Sequence, residues 1–515
     1  MGMLMPHTIR IYRSGKLVRE TEGATGETLL ERIGASGEFL DSPCGGKGKC
    51  GKCLVRLSPE GEQVLACRTV IDGDMDVYLP DAMDMKIADS GASHDHAARA
   101  GNARHLGVAV DIGTTTVVAH LTDMETGRRI ATASGVNAQR TYGADVISRI
   151  QYCADNGHET LTRLIREQLA ALISETCAAS GACADAVEYI SIAANTIMEH
   201  LAQGYSPVGM GVVPFAPVSL FGEEMATGDD LPVSANAKIY YAPAISSYVG
   251  GDITAGMLAS GLEDEAGTVV YLDIGTNGEI AIKTGDTYYC CATAAGPAFE
   301  GAEITMGMAA ISGAINHVKW EDGLKLSVIG DGEPRGLCGS GLLDALAVLL
   351  ETGAVDETGR MLGAEEVDHG IAQHLGEVDG KNVFWLTKGG DAGGVYMSAA
   401  DIRKLQLAKS AIAAGIQTLL RNAGVAEDKV DLFVLAGGFG SFMDQYSAAR
   451  IGLFPEAFLP VSQTLGNTAG EGAAIALCSK EAREALESIR ARCEYIELST
   501  SPVFNEQFVE QMMFP

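Results

Sequence analysis

Four cysteines near the N-terminus constrain this chain more than any other feature. Three of them lie in one glycine-rich loop and the fourth follows after a gap, in the spacing C-x5-C-x2-C-x13-C: Cys44, Cys50, Cys53 and Cys67. Glycines let the backbone wrap closely around an inorganic core and turn N–H groups toward sulfur ligands. Four thiolates suit a [2Fe–2S] centre, whereas a four-cysteine zinc site usually has two short cysteine pairs separated by a finger or ribbon. We therefore predict an iron–sulfur cluster on these cysteines.

The region around this loop also has a recognisable pattern. Polar and apolar residues alternate from Thr8 to Tyr12, as in a strand. Ser14-Gly15 suits a turn and a second strand pattern follows it, which predicts a hairpin. A short helix is expected from Thr28 to Ile33. Residues 1–80 thus resemble plant-type and vertebrate-type [2Fe–2S] ferredoxins of the β-grasp fold. The resemblance implies an α+β ferredoxin domain, with a gap before Cys67 that is shorter than in soluble ferredoxins and similar to that of respiratory iron–sulfur subunits.

Composition limits the remaining function classes. The 515 residues suffice for two to four domains, and 37 Lys and Arg against 67 Asp and Glu give a net charge of −30. This charge argues against nucleic acid or an anionic membrane as a partner. Neither a secretory signal nor a long apolar span is evident, so we expect a cytoplasmic protein with reduced thiols. Residues 81–105 are small and polar without apolar periodicity, which predicts a linker.

Two later stretches repeat one pattern, an apolar strand that ends in Asp-x-Gly-Thr. In such a turn, glycine permits close approach of a phosphate, threonine hydroxyls and amides donate to its oxygens, and the aspartate can hold Mg²⁺ or its water shell. Two facing copies would form a cleft for a triphosphate. The first copy has Asp111, Gly113, Thr114, Thr115 and Thr116, and the second has Asp273, Gly275, Thr276 and Asn277.

Three further motifs extend this prediction. A strand from Leu432 leads into a glycine-rich segment suited to the base or ribose of a nucleotide, comprising Gly437, Gly438, Phe439 and Gly440. Gly339-Ser340-Gly341 is either a second backbone platform or only a helix start. Asp252, after paired glycines, either positions Mg²⁺ and the attacking water or is a turn carboxylate. Two helices are expected as scaffold, one from Thr160 to Ala178 and one capped by Ser398 that ends near Gly424.

The order of these motifs resembles the superfamily of acetate and sugar kinases, heat-shock 70 chaperones and actin. The resemblance spans residues 106–480 and implies an α/β actin-like ATPase with two like subdomains, 106–262 and 263–480. It places ATP and Mg²⁺ in the cleft, Asp111 and Asp273 facing each other, and the glycine-rich segment at Gly437 under the adenosine. Residues 481–515 are expected to form a C-terminal tail packed on the ATPase.

A ferredoxin fused to such an ATPase resembles the reductive activators of corrinoid proteins. Gly296 to Ala302, Tyr495 to Thr500 and Phe504-Asn505-Glu506 also resemble that family. The implied function is an ATP-dependent activase that passes an electron from its [2Fe–2S] cluster to the Co(II) corrinoid of a methyltransferase-system protein, restoring Co(I). The implied partners are that corrinoid protein and an upstream electron donor, and a homodimer is expected. Family members are often longer between the two parts than the linker here.

Three alternatives remain open at the level of sequence. The chain could donate electrons to another enzyme such as a 2-hydroxyacyl-CoA dehydratase, although activators of that kind hold a [4Fe–4S] cluster between two subunits. A small-molecule kinase would use the same cleft but would have no use for a ferredoxin domain. An electron carrier with a regulatory nucleotide site would not need hydrolysis.

Overall fold

The computed structural model describes most of the chain, with gaps around the cysteine loop and the linker. The described residues are 6–38, 40, 42, 46, 48, 53–80, 105–301, 303–330, 332–389 and 393–515. The predicted ligands Cys44 and Cys50 and the predicted linker up to residue 104 lie outside them.

The described residues before position 81 form a mixed sheet with one helix packed on it. Their elements are β1 (Pro6–Arg13), β2 (Lys16–Ala24), α1 (Leu29–Ala35), β3 (Leu54–Arg56), β4 (Gln63–Leu65) and β5 (Met75–Leu79). The strand order is β2-β1-β5-β3-β4, with β1 antiparallel to β2 and parallel to β5. The predicted hairpin is confirmed as β1–β2, and the predicted helix as α1, which Thr28 caps through a capping box with Glu31.

The next part of the chain builds a six-stranded sheet with helices beside it. Its elements are β6 (Leu106–Ile112), β7 (Thr116–Asp123), β8 (Arg128–Val136), α2 (Val146–Asn156), α3 (Glu159–Ser180), β9 (Val187–Ala194), α4 (Thr196–Gln203), β10 (Glu224–Ala226), β11 (Lys238–Tyr241) and α5 (Gly251–Ala259). The strand order is β10-β11-β9-β6-β7-β8. The scaffold helix expected over 160–178 is confirmed as α3, whose apolar stripe lies in the core of this subdomain.

The remainder builds a second six-stranded sheet and two small sheets. Its strands are β12 (Val269–Ile274), β13 (Gly278–Thr284), β14 (Thr287–Thr293), β15 (Ala314–Trp320), β16 (Leu324–Val328), β17 (Gly336–Leu337), β18 (Leu375–Val378), β19 (Lys381–Trp385), β20 (Tyr396–Ser398), β21 (Leu432–Ala436), β22 (Ser462–Thr464) and β23 (Cys493–Tyr495). Its helices are α6 (Gly339–Glu351), α7 (His369–Ala372), α8 (Ala399–Ala423), α9 (Gly437–Gly440), α10 (Gln445–Arg450), α11 (Thr468–Cys478), α12 (Lys480–Arg492) and α13 (Pro502–Glu510).

The two large sheets share one topology. In the first, β6 is antiparallel to β7 and parallel to β9, and β9 is parallel to β11. In the second, β12 is antiparallel to β13 and parallel to β21, and β21 is parallel to β22. The order β11-β9-β6-β7-β8 therefore matches β22-β21-β12-β13-β14, including strand direction. Each strand that carries a predicted phosphate-loop aspartate occupies the same position in its own sheet.

One predicted boundary differs from the structure. The expected second subdomain, 263–480, includes α11, but this helix packs on β6 and β9 of the first sheet and against α5. Its small residues explain the location, because Ala469, Ala473 and Ala476 pack with Ala109 and Ala255 in one buried cluster. Small side chains allow helices and strands to approach closely. The chain thus returns to the first subdomain before it enters the C-terminal segment.

The helix α8 and the C-terminal segment complete the second subdomain. As predicted, Ser398 caps α8 through a capping box with Asp401, and Gly424 ends it in the left-handed conformation. β23 joins the edge of the second sheet beside β14, and α13 packs on α8.

Candidate functional site

The two predicted phosphate-loop aspartates lie at equivalent places, each one residue before the end of its strand. Asp111 pairs with Ala193 of β9, and Asp273 pairs with Ala436 of β21 and with Glu279 of β13. Each strand then turns through its glycine-containing loop into an antiparallel partner. The sequence predicted both hairpins, and the structure brings their turns to the same region, since Thr115 and Thr276 both donate to Glu300.

Side chains from outside the first loop hold it in place. Asn137 Nδ2 donates to the Gly113 carbonyl at 2.8 Å, and Asn195 Nδ2 donates to Thr114 Oγ1 at 3.2 Å. The buried Arg149 donates to the Thr114 carbonyl. These bonds hold the loop through two carbonyls and one hydroxyl.

The second loop is closed by a hydrogen bond within its own backbone. Gly275 N donates to the Asn277 carbonyl at 3.0 Å, and a Cβ built on Gly275 would meet nothing within 4 Å. A bulky group can therefore approach this backbone. Thr276 is buried, and its hydroxyl donates to Glu300 Oε1 at 2.7 Å. Thr115 of the first loop donates to the other oxygen of the same carboxylate, Oε2, at 3.4 Å.

Four partly or fully buried carboxyl groups lie near these loops without being arranged as a metal site, namely Asp111, Asp252, Asp273 and Glu279. Burial raises the pKa of Asp111 to about 7, the amide of Asn467 opposes this shift, and the charge of Asp273 adds to it. Burial also raises the pKa of Asp273 to about 6. The pKa of Asp252 is raised by burial and then by Asp273 and Asp111, and that of Glu279 by burial and then by Asp252 and Asp273. A divalent cation would relieve this repulsion, and carboxylate oxygens suit Mg²⁺.

Asp252 lies in the first turn of α5. The pKa of its side chain is raised first by burial and then by the charges of Asp273 and Asp111. Gly250 is the N-cap and Gly251 the first residue of this helix, so Asp252 lies in a helix rather than in a turn. A Cβ on Gly250 would lie 2.5 Å from the Asn195 Cα, which explains why glycine is needed at this close approach.

The glycine-rich segment after β21 lies against the second loop. Gly437 has φ 87°, and a Cβ there would lie 2.5 Å from Asp273 Oδ1. Both the backbone conformation and the space therefore require glycine. Gly438 is open on the side where a Cβ would point, and Gly440 is buried within the short helix α9. Phe439 stacks on Phe299, with ring centroids 5.8 Å apart and an interplanar angle of 14°.

The segment at 339–341 starts α6, and its three residues have different surroundings. A Cβ on Gly339 would lie 2.4 Å from Phe439 Cε2, so this glycine adjoins the predicted adenosine segment. Ser340 Oγ donates to the Asn316 carbonyl at 2.8 Å, and Gly341 packs on the backbone of Ile315. Gly339 thus lies beside the cleft, whereas Ser340 and Gly341 pack on β15.

The cysteine site is described at two of its four predicted ligands. Leu54 of β3 pairs with Leu65 of β4, and the Ala66 amide donates to the Cys53 carbonyl at 2.8 Å. The residues between Cys53 and Cys67 therefore fold as a hairpin that returns the chain to its starting point. The hairpin brings the backbone before Cys67 beside that of Cys53, despite the short gap between the two cysteines.

Two glycines of the cysteine loop, Gly46 and Gly48, are among the described residues. Gly46 and Gly48 have positive φ values of 78° and 68°, and a Cβ on Gly46 would lie 3.9 Å from Cys67 Cβ. Both positions favour glycine, because other residues rarely adopt such φ values. Among the residues that the structure describes, no group of three or more His, Cys, Asp or Glu side chains is arranged as a metal site.

Several residues of the cleft were not predicted from the sequence. Asn467 caps α11 and donates to Asp111 Oδ2 at 2.7 Å, while Tyr271 Oη donates to Asp273 Oδ2 at 3.4 Å. The sequence offered a local indication of Glu279, because this acidic residue lies two positions after the second loop, next to Gly278 at the start of β13. Glu300 lies in the stretch from Gly296 to Ala302, for which the sequence indicated no role.

Two subdomains of one topology, each with an Asp-x-Gly-Thr turn beside a shared group of carboxylates, define an actin-like ATPase. Residues 106–265 match the family described as "RACo middle region", and residues 267–515 match "C-terminal domain of RACo the ASKHA domain". The chain is 31% identical over 588 aligned positions to "Corrinoid activation enzyme RamQ" from Eubacterium limosum, with 97% of this chain and 98% of that protein covered. The chain therefore belongs to the family of corrinoid reductive activators.

Other relatives agree with this assignment. A solved structure of a "Reductive activator for corrinoid,iron-sulfur protein" superposes with a TM-score of 0.71 at 28% identity, covering 99% of this chain and 98% of that one. The "[Co(II) methylated amine-specific corrinoid protein] reductase" of Methanosarcina barkeri is 23% identical, covering 79% of this chain and 77% of that protein.

A shorter match concerns 11% of this chain. Over 74 positions the chain is 31% identical to one component of the "Na(+)-translocating NADH-quinone reductase" of Haemophilus influenzae, and 18% of that protein is covered. Within the described part of the present chain, the helices are all too short or too polar to cross a membrane.

Proposed function

We propose that this protein is an ATP-dependent activase that reduces the Co(II) corrinoid of a methyltransferase-system protein to Co(I). The observation that carries the proposal is the pairing of two like phosphate loops around Asp111 and Asp273. A chain that only carried electrons would not need this cleft. The named relatives act on corrinoid proteins, and this supports a corrinoid protein as the partner of the present chain.

The N-terminal domain is proposed to be a β-grasp ferredoxin domain. Cys44, Cys50, Cys53 and Cys67 would hold a [2Fe–2S] cluster, and the hairpin between the last two supports this ligand set. When bound, such a cluster supplies one electron at a potential of about −400 mV. The protein contributes the glycines that permit the tight loop and the buried position of Cys53.

The cleft is proposed to bind ATP and Mg²⁺. Asp111 and Asp273 would hold the cation or its water shell, and Asp252 would orient the attacking water. The phosphates would contact the first loop, Gly113 to Thr116, and the second, Gly275 to Asn277. The adenosine would rest on the glycine-rich segment 437–440 and on the start of α6, where Gly339 supports this placement more strongly than Ser340 and Gly341 do.

Electron transfer from a plant-type cluster to Co(II) is thermodynamically uphill. The protein would therefore need the free energy of a nucleotide. Each 59 mV of mismatch costs about a factor of ten for one electron. Nucleotide binding and hydrolysis can offset this cost only by changing the affinity or the cobalt ligation of the docked partner. We propose that movement of the two subdomains around the cleft is coupled to the docked partner. An upstream electron donor and a homodimer belong to the same proposal.

The test is ATP turnover in the presence of a corrinoid protein. Asp111→Ala and Asp273→Ala should each lower the turnover number by on the order of 100-fold, because each removes a carboxylate that organises the cation and the phosphate. Asp286→Ala is the matched control, since Asp286 is exposed in the turn after β13, at the far end of that strand from the cleft. Wild-type turnover in both cleft variants would contradict the proposed site.

A further inference from the structure

Glu300 connects the two phosphate loops. Its Oε1 accepts a hydrogen bond from the Thr276 hydroxyl at 2.7 Å, and its Oε2 accepts one from the Thr115 hydroxyl at 3.4 Å. Thr115 belongs to the first subdomain and Thr276 to the second. One carboxylate therefore spans the cleft at the place where the terminal phosphate of a nucleotide is proposed to bind.

The backbone around Glu300 holds the side chain in this position. Glu300 ends a short 3₁₀ helix, Pro297–Glu300, which is flanked by Gly296 at φ 75° and Gly301 at φ 77°. Phe299 is buried and stacks on Phe439 of the predicted adenosine segment. A Cβ on Gly339 would lie 2.0 Å from the Phe299 carbonyl, so α6 closes against the same turn. The short helix thus touches the adenosine segment while its last residue touches both phosphate loops.

The chemistry of these contacts sets up a competition. A threonine hydroxyl has one proton and can donate to one acceptor at a time. The hydroxyls of Thr115 and Thr276 cannot donate to Glu300 and to a phosphate together. A carboxylate and a terminal phosphate also repel each other, and the neighbouring Asp111 and Asp273 already make the cleft acidic.

We propose that Glu300 is a latch, which joins the two loops in the nucleotide-free protein and is displaced by the terminal phosphate of ATP. This inference rests on the proposed nucleotide site. ADP, which lacks the γ-phosphate that ends ATP, leaves the latch in place. The contact between the subdomains then depends on the presence of that one phosphate, and hydrolysis followed by phosphate release restores it.

The test measures dissociation constants for ATP and for ADP with Mg²⁺ by calorimetry, in the wild-type protein and in Glu300→Gln. The variant keeps the shape of the side chain and removes its charge. We expect ATP to bind about tenfold more tightly to the variant, because a charge-assisted competitor for both hydroxyls is lost. The affinity for ADP should change less than twofold. Glu303→Gln is the control, because Glu303 is an exposed acidic residue three positions away.

The outcomes separate this inference from the nucleotide site itself. A wild-type protein that binds neither nucleotide contradicts the proposed function. A wild-type protein that binds ATP, with Glu300→Gln binding it equally or more weakly, contradicts the latch alone, and so does an equal gain for ADP. Glu300→Asp provides a second variant that keeps the charge but is one methylene too short to reach both loops. It should show a smaller gain for ATP, and thermal melting verifies that both variants are folded.

Discussion

At the scale of single residues, Asn467 shows how one side chain supports both the fold and the site. Its Oδ1 accepts from the Gly470 amide at 2.8 Å and caps α11, and its Nδ2 donates to Asp111 Oδ2 at 2.7 Å. The hydrogen bond to Asn467 stabilises the charged form of Asp111 and partly offsets the rise in its pKa caused by burial. The aspartate therefore depends on a residue that arrives with a helix from the far end of the ATPase.

Two substitutions separate these roles. Asn467→Ser keeps a good helix cap but cannot reach Asp111, so we expect the protein to melt within a few degrees of wild type while ATP turnover falls by roughly tenfold. Asn467→Asp also keeps the cap but places a second carboxylate beside Asp111, and turnover should fall further. Steady-state ATP hydrolysis together with thermal melting checks this. Unchanged turnover in the serine variant would show that the contact with Asp111 is not needed.

At the scale of elements, His200 of the helix α4 holds the segment that contains Val218 and Ser219. This residue is fully buried, its Nδ1 lies 2.7 Å from the Thr196 carbonyl, and its Nε2 accepts from the amides of Val218 and Ser219 at 3.0 and 3.3 Å. The proton must therefore be on Nδ1. Burial lowers the pKa of His200 to about 4.

The lowered pKa of His200 predicts that the segment at Val218 and Ser219 is released as the pH falls. Between its ordinary pKa near 6.5 and about 4, His200 is protonated in the unfolded chain but not in the folded one, so its contribution to stability falls as the pH falls through this window. Protection of the Val218 and Ser219 amides from hydrogen exchange, corrected for intrinsic rates, should drop across the same range. His200→Gln should lack this step because glutamine does not titrate. Constant protection in the wild-type protein down to pH 4 would contradict the assignment.

The sequence predicted elements better than contacts between them. The hairpins at Asp111 and Asp273 follow from apolar runs that end at turn residues, and the helix α8 follows from helical periodicity and capping residues. The bond from Asn467 to Asp111 joins residues 356 positions apart, and that from Thr115 to Glu300 spans 185 positions. A periodic pattern contains no information about such pairs. For the same reason the sequence placed α11 in the second subdomain, although its alanine-rich face packs on the first.

At the scale of the whole molecule, the proposed electron centre and the proposed nucleotide cleft lie on separate parts of the chain. The cysteine hairpin belongs to the small N-terminal sheet, and the loops of the proposed cleft belong to two larger sheets of matching topology. Loss of one site should therefore leave the other intact, and coupling should require a third component. In the proposed function that component is the corrinoid protein, which receives the electron and responds to the state of the cleft.

The most direct measurement follows the Co(I) absorption band after reduced protein is mixed with a Co(II) corrinoid protein. We predict repeated formation of Co(I) with ATP and Mg²⁺, and much less with a non-hydrolysable analogue, because binding alone shifts an equilibrium once whereas repeated uphill transfer needs a cycle that resets. Cys67→Ser should abolish Co(I) formation while ATP still binds, and Asp111→Ala should abolish it while the iron–sulfur spectrum persists. Formation of Co(I) at the same rate and to the same extent without nucleotide would contradict the account.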